Sequence, residues 1–190
     1  MGVVSIKDRL AIFDLDGTLF DTRRVNYFAY SKALESFGIE LDYEYFSAEC
    51  NGKYYKEFLP QIMCVDTEIE EVHRLKKEYY NDFLCEAISN ERLFDIIRTL
   101  KGTYHIALVT TASGRNCKEL LNYFGKEKEF DLIISGEDVL KKKPDPEGFL
   151  KAMRFFRIPE KNAIIFEDSA AGIEAAEKSG AAVFVVRGFA

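Results

Sequence analysis

Histidine is scarce in this chain: its 190 residues contain only His73 and His105. A three-histidine metal centre is therefore excluded. Cysteine is little better represented. Cys50, Cys64, Cys85 and Cys117 are scattered, and none sits in a C-x-x-C pair. A zinc site built on thiolates has no framework here. No sequence neighbour marks any of the four as an activated nucleophile, so they read as reduced thiols of a cytoplasmic protein. Tryptophan is absent. Positive charge is in deficit, with 26 Lys and Arg against 32 Asp and Glu and a formal net charge of −6. That balance argues against nucleic acid as a partner, which calls for a basic surface. Long apolar runs are missing as well. Stretches such as Ala181 to Val186 are far too short to span a bilayer, and Met1 to Leu10 hold no core like that of a signal peptide. No membrane partner is expected.

Carboxylates, by contrast, are plentiful. Catalysis by this chain is expected to run on Asp or Glu, with a hard cation that prefers oxygen ligands. The length allows one sizeable core, alone or with an insertion. Short apolar runs recur at Leu10–Phe13, Ile106–Val109, Leu132–Ile134, Ala163–Phe166 and Val183–Val186. Near-continuous apolar strands suit a parallel sheet covered on both faces. Helical patterns lie between them over 91–101, 115–124, 147–156 and 170–179. Gly102, Gly125 and Gly180 follow three of these as candidate C-terminal caps. The alternation predicts an α/β fold with a doubly wound parallel sheet.

Residues 22–90 break that rhythm. They show helical patterns near 22–37, 43–50, 54–63 and 68–87, and no convincing strand. Eight of the ten tyrosines fall here: Tyr27, Tyr30, Tyr43, Tyr45, Tyr54, Tyr55, Tyr79 and Tyr80. Most are expected to pack within a helical bundle. The predicted organisation is an α/β core made of 1–21 and 90–190, interrupted by an inserted helical subdomain at 22–89.

The chemistry concentrates at strand ends. The first strand runs into Asp14-Leu15-Asp16-Gly17-Thr18. Residues i and i+2 of a strand point to one side, so Asp14 and Asp16 start out parallel, and Gly17 lets the backbone turn away. One carboxylate can serve as nucleophile or metal ligand while the other moves protons. A lone D-x-D is equally a polar turn, but three further signals follow in order. Thr110-Thr111-Ala112-Ser113 ends the second strand and can hold a phosphate through a hydroxyl, N–H groups and a helix start, or can be an ordinary helix cap. Lys141-Lys142-Lys143-Pro144 offers a point charge to a phosphoryl group, or is a solvated basic loop. Glu167-Asp168-Ser169 adds two acids before another helix, where capping is the simpler role.

The ordered set resembles the haloacid dehalogenase (HAD) superfamily of phosphotransferases, in the subgroup with a helical, C1-type cap inserted after motif I. Asp14-x-Asp16-Gly17-Thr18 matches motif I. Thr110, Lys143 before Pro144, and Glu167-Asp168-Ser169-x-Ala171-Gly172 match motifs II, III and IV. The resemblance implies that Asp14 is the nucleophile forming an aspartyl-phosphate and that Asp16 is the general acid and base. It implies Mg²⁺ held by Asp14, the Asp16 carbonyl and Asp168, with Glu167 beside them. Thr110, Thr111 and Ala112 would bind the transferring oxygens, and Lys143 would offset their charge. Arg23 and Lys53 in the cap are candidates for a substrate anion, although both also suit solvated surface.

The resemblance also sorts chemistries. Dehalogenases of this fold lack the second aspartate, so Asp16 favours phosphate esters. Sugar phosphomutases related to β-phosphoglucomutase carry a histidine five residues past the motif I terminal aspartate. Counted from Asp21, that place holds Asn26, which favours hydrolysis over the mutase alternative. Response-regulator receivers share an aspartyl-phosphate, a Thr and a Lys, but place the phosphoacceptor on a later strand and have no such helical insertion. The expected function is a Mg²⁺-dependent phosphatase of a small phosphorylated metabolite, working as a monomer or weak dimer.

Overall fold

The computed structural model describes residues 7–63 and 68–189; Cys64 and residues 1–6 of the N-terminal segment lie outside that range. The chain divides into two compact units, one of residues up to Asp21 together with those from Ser89 onward, the other Thr22–Ile88.

The first unit is built on five strands: β1 Arg9–Phe13, β2 Tyr104–Val109, β3 Leu132–Ile134, β4 Ala163–Glu167 and β5 Ala182–Val185. They lie in the order β3-β2-β1-β4-β5, and every pairing is parallel. The first strand in sequence is thus the middle strand in space, which is the doubly wound arrangement. Its position explains its composition. Leu10, Ala11, Ile12 and Phe13 are all fully buried, so neither face of β1 tolerates the polar alternation of a half-exposed strand. One layer packs Leu10, Ile12, Val109 and Ile165 against Phe149, Met153, Ala175 and Ala176. These last four come from the helices Glu147–Phe156 and Ala170–Ser179. Helices Glu91–Leu100 and Gly114–Tyr123 occupy the remaining predicted positions.

The helix starts follow local chemistry. Asn90, Ser113 and Ser169 each accept a first-turn N–H on the side chain, from Leu93, Asn116 and Gly172, which satisfies donors the helix cannot. The ends are less uniform than their glycines suggest. Gly180 closes Ala170–Ser179 at φ 80°, and Gly125 adopts φ 66° just past Gly114–Tyr123. Gly102 does not take the left-handed conformation. Its helix ends through Lys101 N–H to the Ile97 carbonyl and Thr103 N–H to that of Leu100. Conversely, Glu147–Phe156 ends on Arg157 at φ 57°, a left-handed residue with a side chain.

The second unit is helical, with Arg23–Glu35, Tyr55–Met63 and Ile69–Tyr79 as its main helices. A short helix, Tyr43–Tyr45, runs into a wider π-type turn at Phe46–Cys50, and a tighter 3₁₀ stretch with a kink at Phe83 covers Tyr80–Glu86. A two-residue extended segment, Ile88–Ser89, follows and is, among the described residues, the one strand in the 22–90 stretch read as helical. Tyr30, Leu34, Phe46, Phe58, Leu59 and Val72 form the core. Tyr30 meets Phe58 edge-on at 5.2 Å, while Tyr45 and Tyr54 are exposed. His73 is part of this packing: its ring stacks on Tyr55 at 3.8 Å, and Nδ1 lies 3.2 Å from the Tyr30 hydroxyl. His105 stacks on Phe156 at 4.3 Å near the start of β2. Among the described residues no helix is long and apolar enough to cross a membrane.

Candidate active site

Sheet register brings the motif residues together. Phe13 pairs with Leu108 on one side and Phe166 on the other. The residues that follow these partners are Asp14, Val109 with Thr110, and Glu167 with Asp168. All stand at the C-terminal edge of the sheet, where open α/β folds bind ligands. Backbone bonds fix the edge: Asp14 N–H donates to the Phe166 carbonyl at 3.0 Å, and Thr110 N–H to that of Ile134 at 2.9 Å. His105, the second residue of β2, lies toward the opposite edge.

Lys143 is the centre of the cluster. Its Nζ donates to Asp14 Oδ1 at 2.5 Å, Glu167 Oε1 at 2.6 Å and the Val109 carbonyl at 3.2 Å. An ammonium has three donors, and all three are used. Of the three consecutive lysines, Lys143 alone is built in. Lys141 and Lys142 are exposed, and Lys141 pairs loosely with Asp145 at 3.8 Å. Burial opposes the ammonium, but Asp14 and Glu167 outweigh it, and the Lys143 pKa is raised. Burial pushes Asp14 well above the ordinary carboxylate range; Lys143 opposes that rise, while Glu167 and Asp16 add to it. Asp16 is therefore close enough to be felt at Asp14. It follows Asp14 into a tight loop closed by Gly17 N–H to the Phe20 carbonyl at 2.7 Å.

Asp168 completes an oxygen-only group. One carboxylate oxygen from each of Asp14, Glu167 and Asp168 lies within 4.8 Å of the others. Burial lifts the Asp168 pKa to about 6, with a hydrogen bond from Thr18 Oγ1 at 2.8 Å working against it. Closely spaced hard oxygens fit a cation such as Mg²⁺ and offer nothing to a soft metal. Glu167 belongs to this group by distance, but its oxygens are already engaged. Oε1 takes Lys143. Oε2 takes Asp168 N–H at 2.8 Å, Ser169 N–H at 2.9 Å and the Ser169 hydroxyl at 3.1 Å. A fully buried carboxylate requires such partners.

The Thr110–Ser113 loop, where the sequence leads to an expectation of phosphate binding, differs in detail from that expectation. Thr110 is buried, and its Oγ1 accepts Ala112 N–H at 3.0 Å. That N–H is thus engaged, and the Thr110 hydroxyl proton remains to be donated. Thr111 is exposed beside it. Cys117, on the helix that follows, is held up to about 12 by burial and by the nearby charges of Asp16 and Asp14. Arg23 and Lys53 belong to the helical unit. Both are exposed, and Lys53 lies 3.5 Å from Glu49. Asn26 turns its side-chain amide to the Thr22 carbonyl at 3.1 Å.

Three residues matter more than the motif reading assigns. Thr18 holds Asp168, as above. Gly17, at φ 89°, leaves room for the same acid, because a Cβ there would stand 2.1 Å from Asp168 Oδ2. Gly172 faces Glu167, and a Cβ on it would stand 1.8 Å from Oε1. Replacing a helical glycine by alanine ordinarily stabilises by roughly 1 kcal/mol. Here the overlap wins, because neither the helix nor a carboxylate with four donors can yield. Gly172→Ala is expected to destabilise the fold by about 2–3 kcal/mol, the upper range for overpacking. Urea denaturation beside Ala171→Ser, an exposed change in the same turn, reads the difference.

The fold and this edge define a doubly wound α/β enzyme core with an acid-and-lysine centre. The chain belongs to the haloacid dehalogenase-like hydrolases, whose family model matches residues 11–186. A phosphorylated carbohydrates phosphatase of Thermotoga maritima is 30% identical over 176 residues, 89% of this chain and 80% of that protein. Fructose-1-phosphate phosphatase YqaB of Escherichia coli is 25% identical over 171 residues, 89% and 91% of the two chains. The crystal structure of CbbY from Rhodobacter sphaeroides in complex with phosphate matches with a TM-score of 0.82 at 27% identity, over 95% of this chain and 87% of that one.

Proposed function

We propose that this chain is a Mg²⁺-dependent phosphatase of a small phosphorylated metabolite, of the sugar-phosphate class. The observation that carries the reading is the bond from Lys143 to Asp14 within an oxygen-only group that includes Asp168. An Asp14 oxygen attacks phosphorus, the ester P–O bond breaks, and Asp16 gives its proton to the departing oxygen. Asp16 then takes a proton from water as that water attacks the phosphorus of the aspartyl-phosphate, which frees inorganic phosphate and restores Asp14. The Thr110 hydroxyl and the Thr111 N–H hold the transferring oxygens. Asp14, the Asp16 carbonyl and Asp168 would hold Mg²⁺, which supplies charge neutralisation at the phosphoryl group. Glu167, with both oxygens engaged, places Lys143 and the Asp168 backbone. We assign 22–88 as the cap, with Arg23 and Lys53 as candidate contacts to the leaving group.

Hydrolysis is favoured over phosphomutation by Asn26, whose amide is spent on Thr22. A phosphate-release screen over sugar phosphates, nucleotides and phospho-acids tests the reading. Turnover is expected with Mg²⁺ and a loss of at least ~10²-fold on chelation, the scale of removing a major electrostatic contributor. Undiminished activity in EDTA would sink the metal assignment. Conversion of a hexose 1-phosphate to its 6-phosphate without phosphate release would move the chain to the mutases.

A further inference from the structure

The helix after Thr110 was expected to offer its positive end to an anion. Two of its first-turn donors are already taken. Gly114 N–H donates to Glu137 Oε2 at 2.9 Å, and Asn116 N–H to the Ser113 hydroxyl at 3.3 Å. Glu137 comes from the loop after β3, 23 residues away in sequence. Two sets of contacts hold that loop in place. Ser135 N–H and its hydroxyl both donate to Asp138 Oδ2, at 2.8 and 2.6 Å. Gly136 N–H donates to the Ala112 carbonyl at 2.8 Å. A Cβ on Gly136 would stand 2.4 Å from the Thr111 carbonyl oxygen, so the loop packs directly on the phosphate-binding segment. Gly114 lies four residues past Thr110, so the two Cα atoms stand no farther apart than roughly 14 Å by chain length alone.

Glu137 therefore places a fixed negative charge where a helix end would otherwise attract one. We propose that Glu137 is a specificity-determining residue that selects phosphate monoesters whose remaining part is uncharged, and turns away bisphosphates and phospho-carboxylic acids. This rests on the phosphatase reading and deepens it. Capping the helix is the contact's role in the free protein; discrimination by substrate charge is its role in turnover.

Glu137→Gln separates the two, since an amide oxygen still accepts the Gly114 N–H but carries no charge. The experiment compares kcat/KM for a hexose monophosphate and the matching hexose bisphosphate in the full chain with Mg²⁺. The ratio of bisphosphate to monophosphate is expected to rise at least about 2.5-fold, the factor for one unit charge facing a phosphate dianion at roughly the 14 Å chain-length limit in water. The gap between variant and wild type should narrow at high salt. An unchanged ratio, or an equal change on both esters, overturns the inference and leaves the phosphatase reading intact. If the wild type hydrolyses no ester, the phosphatase reading has failed instead. Equilibrium binding of the same two esters to the Asp14→Asn chain, with and without Glu137→Gln, then reads the discrimination without turnover. No change in relative affinity there overturns the inference as well.

Discussion

Asp14→Asn should abolish phosphate release, lowering kcat by at least ~10³-fold, as when an essential catalytic group is removed. Asn is nearly isosteric and still accepts a hydrogen bond from Lys143, but it cannot form the aspartyl-phosphate. The fold should survive the change. Burial raises the Asp14 pKa despite the lysine beside it, so the ionised acid is held at a cost to the native state, and a neutral amide removes that cost. Without added divalent cation, the variant is expected to melt at or above the wild-type temperature while being inactive. A site acid whose removal kills activity without harming stability is one retained for chemistry. Wild-type turnover in Asp14→Asn would refute the nucleophile assignment. A large drop in melting temperature would show that the carboxylate is a structural element instead.

Lys143→Met should fail in the opposite way, losing both activity and stability. Among the described residues no other cation pairs with Asp14 or Glu167. Methionine fills much of the volume but leaves two buried carboxylates facing each other, one of them wholly excluded from water. Breaking a buried pair from one side typically costs about 3–5 kcal/mol, because the partner charge is stranded. Arginine is no substitute, since its flat fork does not aim three donors at a point. The decisive control is Lys143→Met with Glu167→Gln. Removing one stranded charge should recover part of the lost stability and none of the activity. A double variant no more stable than Lys143→Met alone would mean that the loss came from packing.

The sheet could be read from sequence for a definite physical reason. Strand segments covered on both faces must be apolar, and Leu10–Phe13, Ile106–Val109 and Ala163–Phe166 are. The same logic found the acids, because chain direction alone places the residue after each parallel strand at one edge. What escaped is contact between segments that no local period encodes. Nothing near Gly172 announces that a carboxylate five residues back will lie against it. Nothing near Glu137 announces Gly114. Gly102 looked like a left-handed cap and is not, while Arg157 is one, because the chain there must turn at once into Ile158 and Pro159. Within the triple lysine, resemblance to motif III points to Lys143, and burial beside Asp14 and Glu167 shows that it alone is built in.

The middle strand of the sheet is also the earliest one made. During synthesis, Leu10 emerges long before Ala163, its neighbour on the far side. Until β4 exists, β1 has one open edge along the apolar run Leu10–Phe13, and Asp14 lacks Glu167 from its surroundings. Partly made chains should therefore be inactive and prone to stick, and pairing across such separations is slow. Catalytic competence in this protein arrives late, with the closing of the last strands around the first.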